Sequence, residues 1–132
     1  MPMGDAAVTL RPYRDTDFPA VCRLSVAEGW YTPVNREEAA REAWAASFVA
    51  FVAEAGGSLA GFVRCLSDGQ LTLYVCELLV DPAWRGRGLL REAHALYPAT
   101  RMDVLASPAA DAPYCRSGFR AFPGFRATSP EH

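Results

Sequence analysis

This chain of 132 residues contains no lysine; all 13 of its basic residues are arginines. That excludes a Schiff-base lysine, a Walker-type phosphate lysine and any other catalytic lysine. Histidine is scarce, with only His94 and His132, and the two stand apart. The four cysteines (Cys22, Cys65, Cys76, Cys115) are widely spaced and form no C-x-x-C pair. Such spacing argues against a zinc site or a disulfide framework, so no metal is expected. Reduced, mostly buried thiols in a cytoplasmic protein are the expectation instead. Met1-Pro2-Met3-Gly4-Asp5 has neither the basic region nor the apolar core of a signal peptide. No apolar run is long enough to span a bilayer, so no membrane partner is expected. The formal net charge of −2 gives no global attraction to nucleic acid.

What is present suits one soluble domain. The chain is 51% hydrophobic, 21% charged and 11% aromatic, and is long enough to bury a sizeable core. A first strand is expected at residues 8–12. Asp15-Thr16-Asp17 then caps a helix over 18–28, with Phe18, Val21, Cys22, Leu24 and Val26 toward the core and Gly29 at its end. Trp30-Tyr31-Thr32-Pro33 is a loop. Asn35 is the expected N-cap of a helix over 36–47, with Glu38 three residues on as in a capping box. Three antiparallel strands follow at 48–54, 59–66 and 71–80, with turns at Ala55-Gly56-Gly57-Ser58 and Ser67-Asp68-Gly69-Gln70. A helix over 89–96, a strand at 102–106, a short helix at 109–116 and a last strand from Phe119 complete the order. The layout is α+β, a single mixed and mostly antiparallel sheet with helices on both faces.

The most informative stretch is Glu77-Leu78-Leu79-Val80-Asp81-Pro82-Ala83-Trp84-Arg85-Gly86-Arg87-Gly88-Leu89-Leu90. An apolar strand runs through a Pro-stopped turn into an Arg/Gly loop and then a helix. Free backbone N–H groups and a helix dipole there would attract an anion, most often phosphate. Glycines let the backbone approach such a ligand. Arg85, Arg87, Arg91 and Arg101 gather near this loop in sequence, opposed by Asp81, Glu92 and Asp103. A P-loop is excluded because no Gly-Lys-Ser/Thr follows the glycines. A Rossmann fingerprint is excluded because the third glycine is missing and the preceding strands form a meander.

Arg85-Gly86-Arg87-Gly88 after this strand resembles the acetyl-CoA loop of the GNAT superfamily of N-acetyltransferases. Tyr114-Cys115-Arg116-Ser117-Gly118-Phe119 resembles that family's C-terminal Tyr-x-x-x-Gly-Phe, and Leu10-Arg11-Pro12 its opening strand. The resemblance implies an acetyl-CoA-dependent N-acetyltransferase, with acetyl-CoA as co-substrate and a primary amine or peptide amine as acceptor. It also implies that homodimers are common. By position, Leu78, Leu79 and Val80 would line the acetyl group and pantetheine arm. Arg85, Gly86, Arg87, Gly88, Leu89, Leu90 and Arg91 would cradle the pyrophosphate, and Ser107 stands where the family often has an Asn on the cofactor. Two departures stand out: Leu90 replaces the final Gly/Ala of the pattern, adding bulk beside the pyrophosphate, and the following helix is about one turn short. They motivate an alternative, a GNAT-like domain of weakened catalysis that serves as a CoA-binding sensor or interaction module.

The resemblance implies direct transfer without an acyl-enzyme, with strand N–H groups near residues 78–80 as oxyanion donors. Tyr114 matches the family tyrosine that protonates the departing thiolate; a phenol with a pKa near 10 is neutral at pH 7 and can donate. Strand alternation puts Glu77 on a face with Leu71, Leu73, Val75 and Leu79. There it is either the base that deprotonates the amine or a structural glutamate, paired with an arginine such as Arg64 or held at a bulge. Asp103, beside Met102 on the next strand, is a second candidate base. Trp30 and Tyr31 lie where the family forms its acceptor pocket; they either bind the amine or anchor the loop. His94 is read as a solvated helix residue.

Overall fold

Two glycines fold the first hairpin of the sheet. Gly56 and Gly57 adopt φ of 59° and 81°, the left-handed pair that matches the twist of flanking strands. They join β2 (Val49–Ala55) to β3 (Ser58–Ser67). The computed structural model describes residues 8–84, 89–105, 118–120 and 125–128. Within them β1 (Val8–Pro12), β2, β3, β4 (Thr72–Val80) and β5 (Arg101–Val104) form one sheet in the order β1-β2-β3-β4-β5. The first three pairings are antiparallel and β4–β5 is parallel. The mixed sheet expected from the sequence is therefore present, with strand bounds within a residue or two. The β3–β4 turn is held by Asp68, whose Oδ1 accepts the N–H groups of Gln70 and Leu71 at 2.8 Å each.

Helices cover both faces. On one, α1 (Phe18–Ala27) and α3 (Glu37–Ala46) bury Phe18, Val21, Leu24 and Trp44 against Val52, Phe62 and Leu79. Trp44 stacks on Tyr13 and meets Phe62 edge to face. On the other, α4 (Leu89–Ala95) packs Ala93 into a cluster with Val49, Val63, Cys65, Leu73 and Val75. Each large side chain removed from water in this way contributes about 1.5–3 kcal/mol. Helix α1 ends as expected at Gly29, φ 80°, where Trp30 N–H donates to Ser25 O and Gly29 N–H to Val26 O. That doubled bond pattern uses up the last carbonyls of the helix.

Several local expectations are corrected. Asp17 precedes α1 but does not cap it. Its carboxylate instead takes the Arg11 guanidinium through both oxygens at 2.8 Å and the Arg14 N–H. A two-pronged ionic contact is stronger than a single cap bond. Residues 32–35 are not loop but a helical turn, α2 (Thr32–Asn35), so Asn35 ends α2 rather than capping α3. Val26 is exposed, not core. Phe119 and Arg120 lie outside any strand, and the expected helix over 109–116 falls outside the described residues.

Candidate functional site

Strand β4 is longer than the strand beside it. The β4–β5 ladder runs from Thr72–Arg101 to Val75–Val104 and stops, while β4 continues to Val80. Among the described residues, 76–80 thus lie past the end of the β5 ladder. At the exit, Asp81 N–H donates to Ala60 O, and Asp81 Oδ1 accepts the Ala83 N–H. These bonds fix a single 3₁₀ turn over Pro82–Trp84 that leads into residues 85–88. Helix α4 then begins at Leu89.

Two irregularities shape β4 here. Register with β3 is continuous from Gly61–Val80 to Arg64–Glu77, then shifts so that Cys65 faces Val75. Cys76 is the extra residue, a bulge, and it reverses the side-chain alternation. Leu73 and Val75 point toward α4, whereas Leu79, and with it Glu77, points toward α1 and α3. The expected common face of Glu77 with Leu71, Leu73 and Val75 is therefore wrong, and Leu71 is 71% exposed. At the second irregularity β3 and β4 come unusually close. A Cβ on Gly61 would sit 2.7 Å from the Leu79 carbonyl oxygen and 3.2 Å from Val80 Cα. An isolated glycine inside a strand is the signal that marks such an approach, and the sequence reading passed over it.

Glu77 meets Arg64 directly across the ladder. Arg64 Nε donates to Glu77 Oε2 at 2.6 Å, and both side chains are largely sheltered, 17% and 24% exposed. Arg64 Nη1 reaches Ser47 Oγ at 3.3 Å, and Ser47 Oγ donates to Ala43 O at 2.7 Å. The carboxylate just past the β5 ladder is thereby tied to the end of α3. The pairing and the bulge named as structural alternatives for Glu77 are both present.

The other expected residues divide. Leu79 is buried in the α1–α3 cluster, while Leu78 and Val80 are half-buried against the α4-side cluster. Leu90 also packs against that cluster, so its bulk is directed into the core. Arg91 is exposed in the first turn of α4. Arg101 sits beside the start of β4. It pairs with Asp103 and donates to Thr72 Oγ1, roughly 26 Å of strand from Val80 at the usual rise. Asp103, held by Arg101 and level with Tyr74, lies within the β4–β5 ladder, and Met102 packs into the core. Trp30 and Tyr31 are 41% and 54% exposed, on the α1–α2 side that Glu77 faces, and are not buried anchors. His94 is not simply solvated, because its Nε2 bonds to Thr100 O at 2.8 Å. Arg85, Gly86, Arg87, Gly88, Ser107 and Tyr114 lie outside the described residues. An open cavity of about 450 Å³ lies beside Tyr13, Trp44, Ser47, Phe48 and Tyr97, at the start of β2.

Three thiols report burial. The Cys65 thiol is pushed up to about 12 by burial, and burial also raises Cys22 and Cys76. These thiols are held protonated and are not nucleophiles at neutral pH.

Comparison with known proteins bears on the fold and the family. No curated protein matches the chain. Among solved structures, a GNAT family acetyltransferase from Streptococcus pneumoniae superposes with a TM-score of 0.74 at 19% identity, covering 95% of this chain and 98% of that one. The aminoglycoside N-acetyltransferase AAC(6')-Iy in complex with CoA gives 0.71 at 18% identity, covering 96% and 97%. The PaiA N-acetyltransferase from Thermoplasma acidophilum in complex with coenzyme A gives 0.68 at 14% identity, covering 86% and 90%. These likenesses establish the fold. The family model described as "Acetyltransferase (GNAT) family" matches residues 10–96, well over half of the sequence, and the chain therefore belongs to the GNAT acetyltransferase family.

Proposed function

We propose that this chain is an N-acetyltransferase that moves acetyl from acetyl-CoA to a primary amine by direct attack in a ternary complex. The observation that carries the proposal is the end of β4, the mouth of the proposed site: β4 continues through residues 76–80 past the last β5 partner and leads into the Arg/Gly segment and α4. Two described residues support a cofactor at this place. Leu90 packs against the α4-side core, and Arg91 is exposed at the start of α4. With Leu90 so placed, its bulk no longer motivates a weakened sensor domain.

When bound, acetyl-CoA supplies an activated acyl thioester. In this reading the main chain of residues 78–80 orients the acyl carbonyl and offers N–H groups to its oxygen. Residues 85–91 hold the diphosphate, and Ser107 contacts the cofactor. Trp30 and Tyr31 receive the amine on the α1–α2 side. Glu77 accepts the proton the amine loses as its nitrogen bonds to the acyl carbon. Tyr114 donates a proton to sulfur as the C–S bond breaks. The names of aminoglycoside-modifying neighbours support an amine acceptor.

Thermal unfolding with added acetyl-CoA tests the cofactor, since a ligand at a hundred times its Kd raises stability by about 2.7 kcal/mol. A rise of several degrees is expected. No shift at millimolar acetyl-CoA would overturn the proposal. Thiol release across a panel of primary amines then tests the transfer; a shift without release from any amine would favour CoA binding alone.

A further inference from the structure

We infer that Arg64 is a positioning residue for the amine-side base, holding the Glu77 carboxylate in one orientation at the mouth, with Ser47 as its latch on α3. The inference rests on the proposed role of Glu77 and adds to it how that base is aimed.

Glutamate has three rotatable side-chain bonds, so a glutamate is loosely aimed unless something holds it. A proton acceptor must lie within hydrogen-bond reach of the nitrogen it serves. Three features of this chain supply the constraint. The Cys76 bulge turns Glu77 from the α4 face to the face of α1 and α3. The register places Arg64 opposite it, with Nε on Oε2 at 2.6 Å. Ser47, at the end of α3, receives Arg64 Nη1 at 3.3 Å and is itself anchored on Ala43 O at 2.7 Å.

The contact is one-sided. Oε2 is taken by Nε, while Nη1 goes to Ser47 Oγ rather than to Oε1. A structural ion pair could use the arginine fork to bind both carboxylate oxygens, as Arg11 does with Asp17 in this same chain. Arg64 divides its donors between Glu77 and Ser47 instead. It fixes the carboxylate through Oε2 and does not itself occupy Oε1, the oxygen that in this reading accepts the proton. The chain of contacts ends on α3, which α2 and the loop bearing Trp30 and Tyr31 precede. Base and acceptor side are thus braced on the same layer of helices.

A double-mutant cycle tests this with acetyl-CoA and the best amine from the thiol-release panel. Glu77→Gln is expected to lower kcat about a hundredfold, as removal of a general base does. Arg64→Met is expected to lower kcat about tenfold, the size of coupling seen between contacting residues, with KM for acetyl-CoA changed less than about twofold. Arg64→Lys should recover part of the loss. The combined variant should be no slower than Glu77→Gln alone, because Arg64 acts only through Glu77. Ser47→Ala is the milder companion should Arg64→Met fold poorly; it should slow the wild type a few-fold and leave Glu77→Gln unchanged. Crystals of the ligand-free Arg64→Met and Ser47→Ala proteins give a readout independent of activity, in which the Glu77 side chain should take more than one rotamer. If Arg64→Met slows Glu77→Gln by the same factor as wild type, or Glu77 keeps its single rotamer, the positioning role is overturned and the base assignment stands. If Glu77→Gln turns over like wild type, the base assignment falls, and the role of Arg64 with it.

Discussion

Gly61 lies so close under the Leu79 carbonyl that a Cβ built on it would come within 2.7 Å of that oxygen. This contact and the next nearest, Val80 Cα at 3.2 Å, are both to backbone, so no flexible side chain can give way. The close approach occurs at the end of β4, beside the bond from Asp81 N–H to Ala60 O that turns the chain out of the sheet. Missing side-chain volume on β3 therefore sets where the main chain of residues 79–80 runs at the mouth.

Gly61→Ala should push β4 outward at Leu79 and Val80. Overpacking of this kind costs about 1–3 kcal/mol, and the shift falls on the main chain proposed to orient the acyl group. A lower Tm with KM for acetyl-CoA raised several-fold is expected, read from thermal unfolding and steady-state kinetics. Wild-type values of both would mean that the mouth tolerates the methyl group and that its backbone position is set elsewhere.

Leu90→Ala separates core packing from cofactor obstruction. Leu90 is half-buried against the α4-side cluster, so truncation should cost about 1–2 kcal/mol, below the range for a fully buried leucine. Acetyl-CoA affinity should stay within about threefold, less than 1 kcal/mol. A tenfold gain in affinity by calorimetry would show that the side chain obstructs the loop after all.

The Arg11–Asp17 pair predicts an acid limb in stability. The Arg11 guanidinium, helped by the Arg14 N–H, holds the Asp17 carboxyl below the usual carboxylate range. A group depressed in the folded state binds its proton more readily when unfolded. Its contribution is therefore complete above about pH 5 and drains away as pH falls through the ordinary carboxylate value of about 4 and toward the lower folded one. Asp17→Asn should cost about 1–3 kcal/mol at pH 7, because Arg11 keeps Glu54 as a second partner. Denaturant titrations from pH 7 to pH 3 should give a flatter curve for the variant. Parallel curves would assign the acid sensitivity to other carboxylates.

Cys65 is fully buried, and its thiol sits near 12. Thiolate is the reactive form, so Cys65 should resist alkylation at pH 8 in the folded protein and react at once in denaturant. Mass mapping after a timed iodoacetamide pulse measures this. Fast labelling of folded Cys65 would show that the α4-side core opens readily.

Much of the fold was legible in the residues because its signals are local. The Gly56-Gly57 turn, the glycine stop of α1, the apolar alternation of the strands and the 3.6-residue spacing of Phe18, Val21 and Leu24 each act within a few positions. Asn35 misled because a single turn of helix, α2, needs no strong periodic pattern. Asp17 was read as a cap because its competitor, Arg11, lies on another element.

By itself, the order of residues determined which segments become strands and helices, the sheet they build, and the place of the Arg/Gly segment after β4. Those properties follow from turn chemistry and hydrophobic period, which a short window contains. Only the tertiary structure decided that Glu77 looks toward α1 and α3, that Arg64 and Ser47 hold it, that Gly61 admits the Leu79 carbonyl, and that Arg101 belongs to the far end of β4. One extra residue at Cys76 inverts everything after it, and the partners that accept the inverted side chain come from strands and helices distant in the chain.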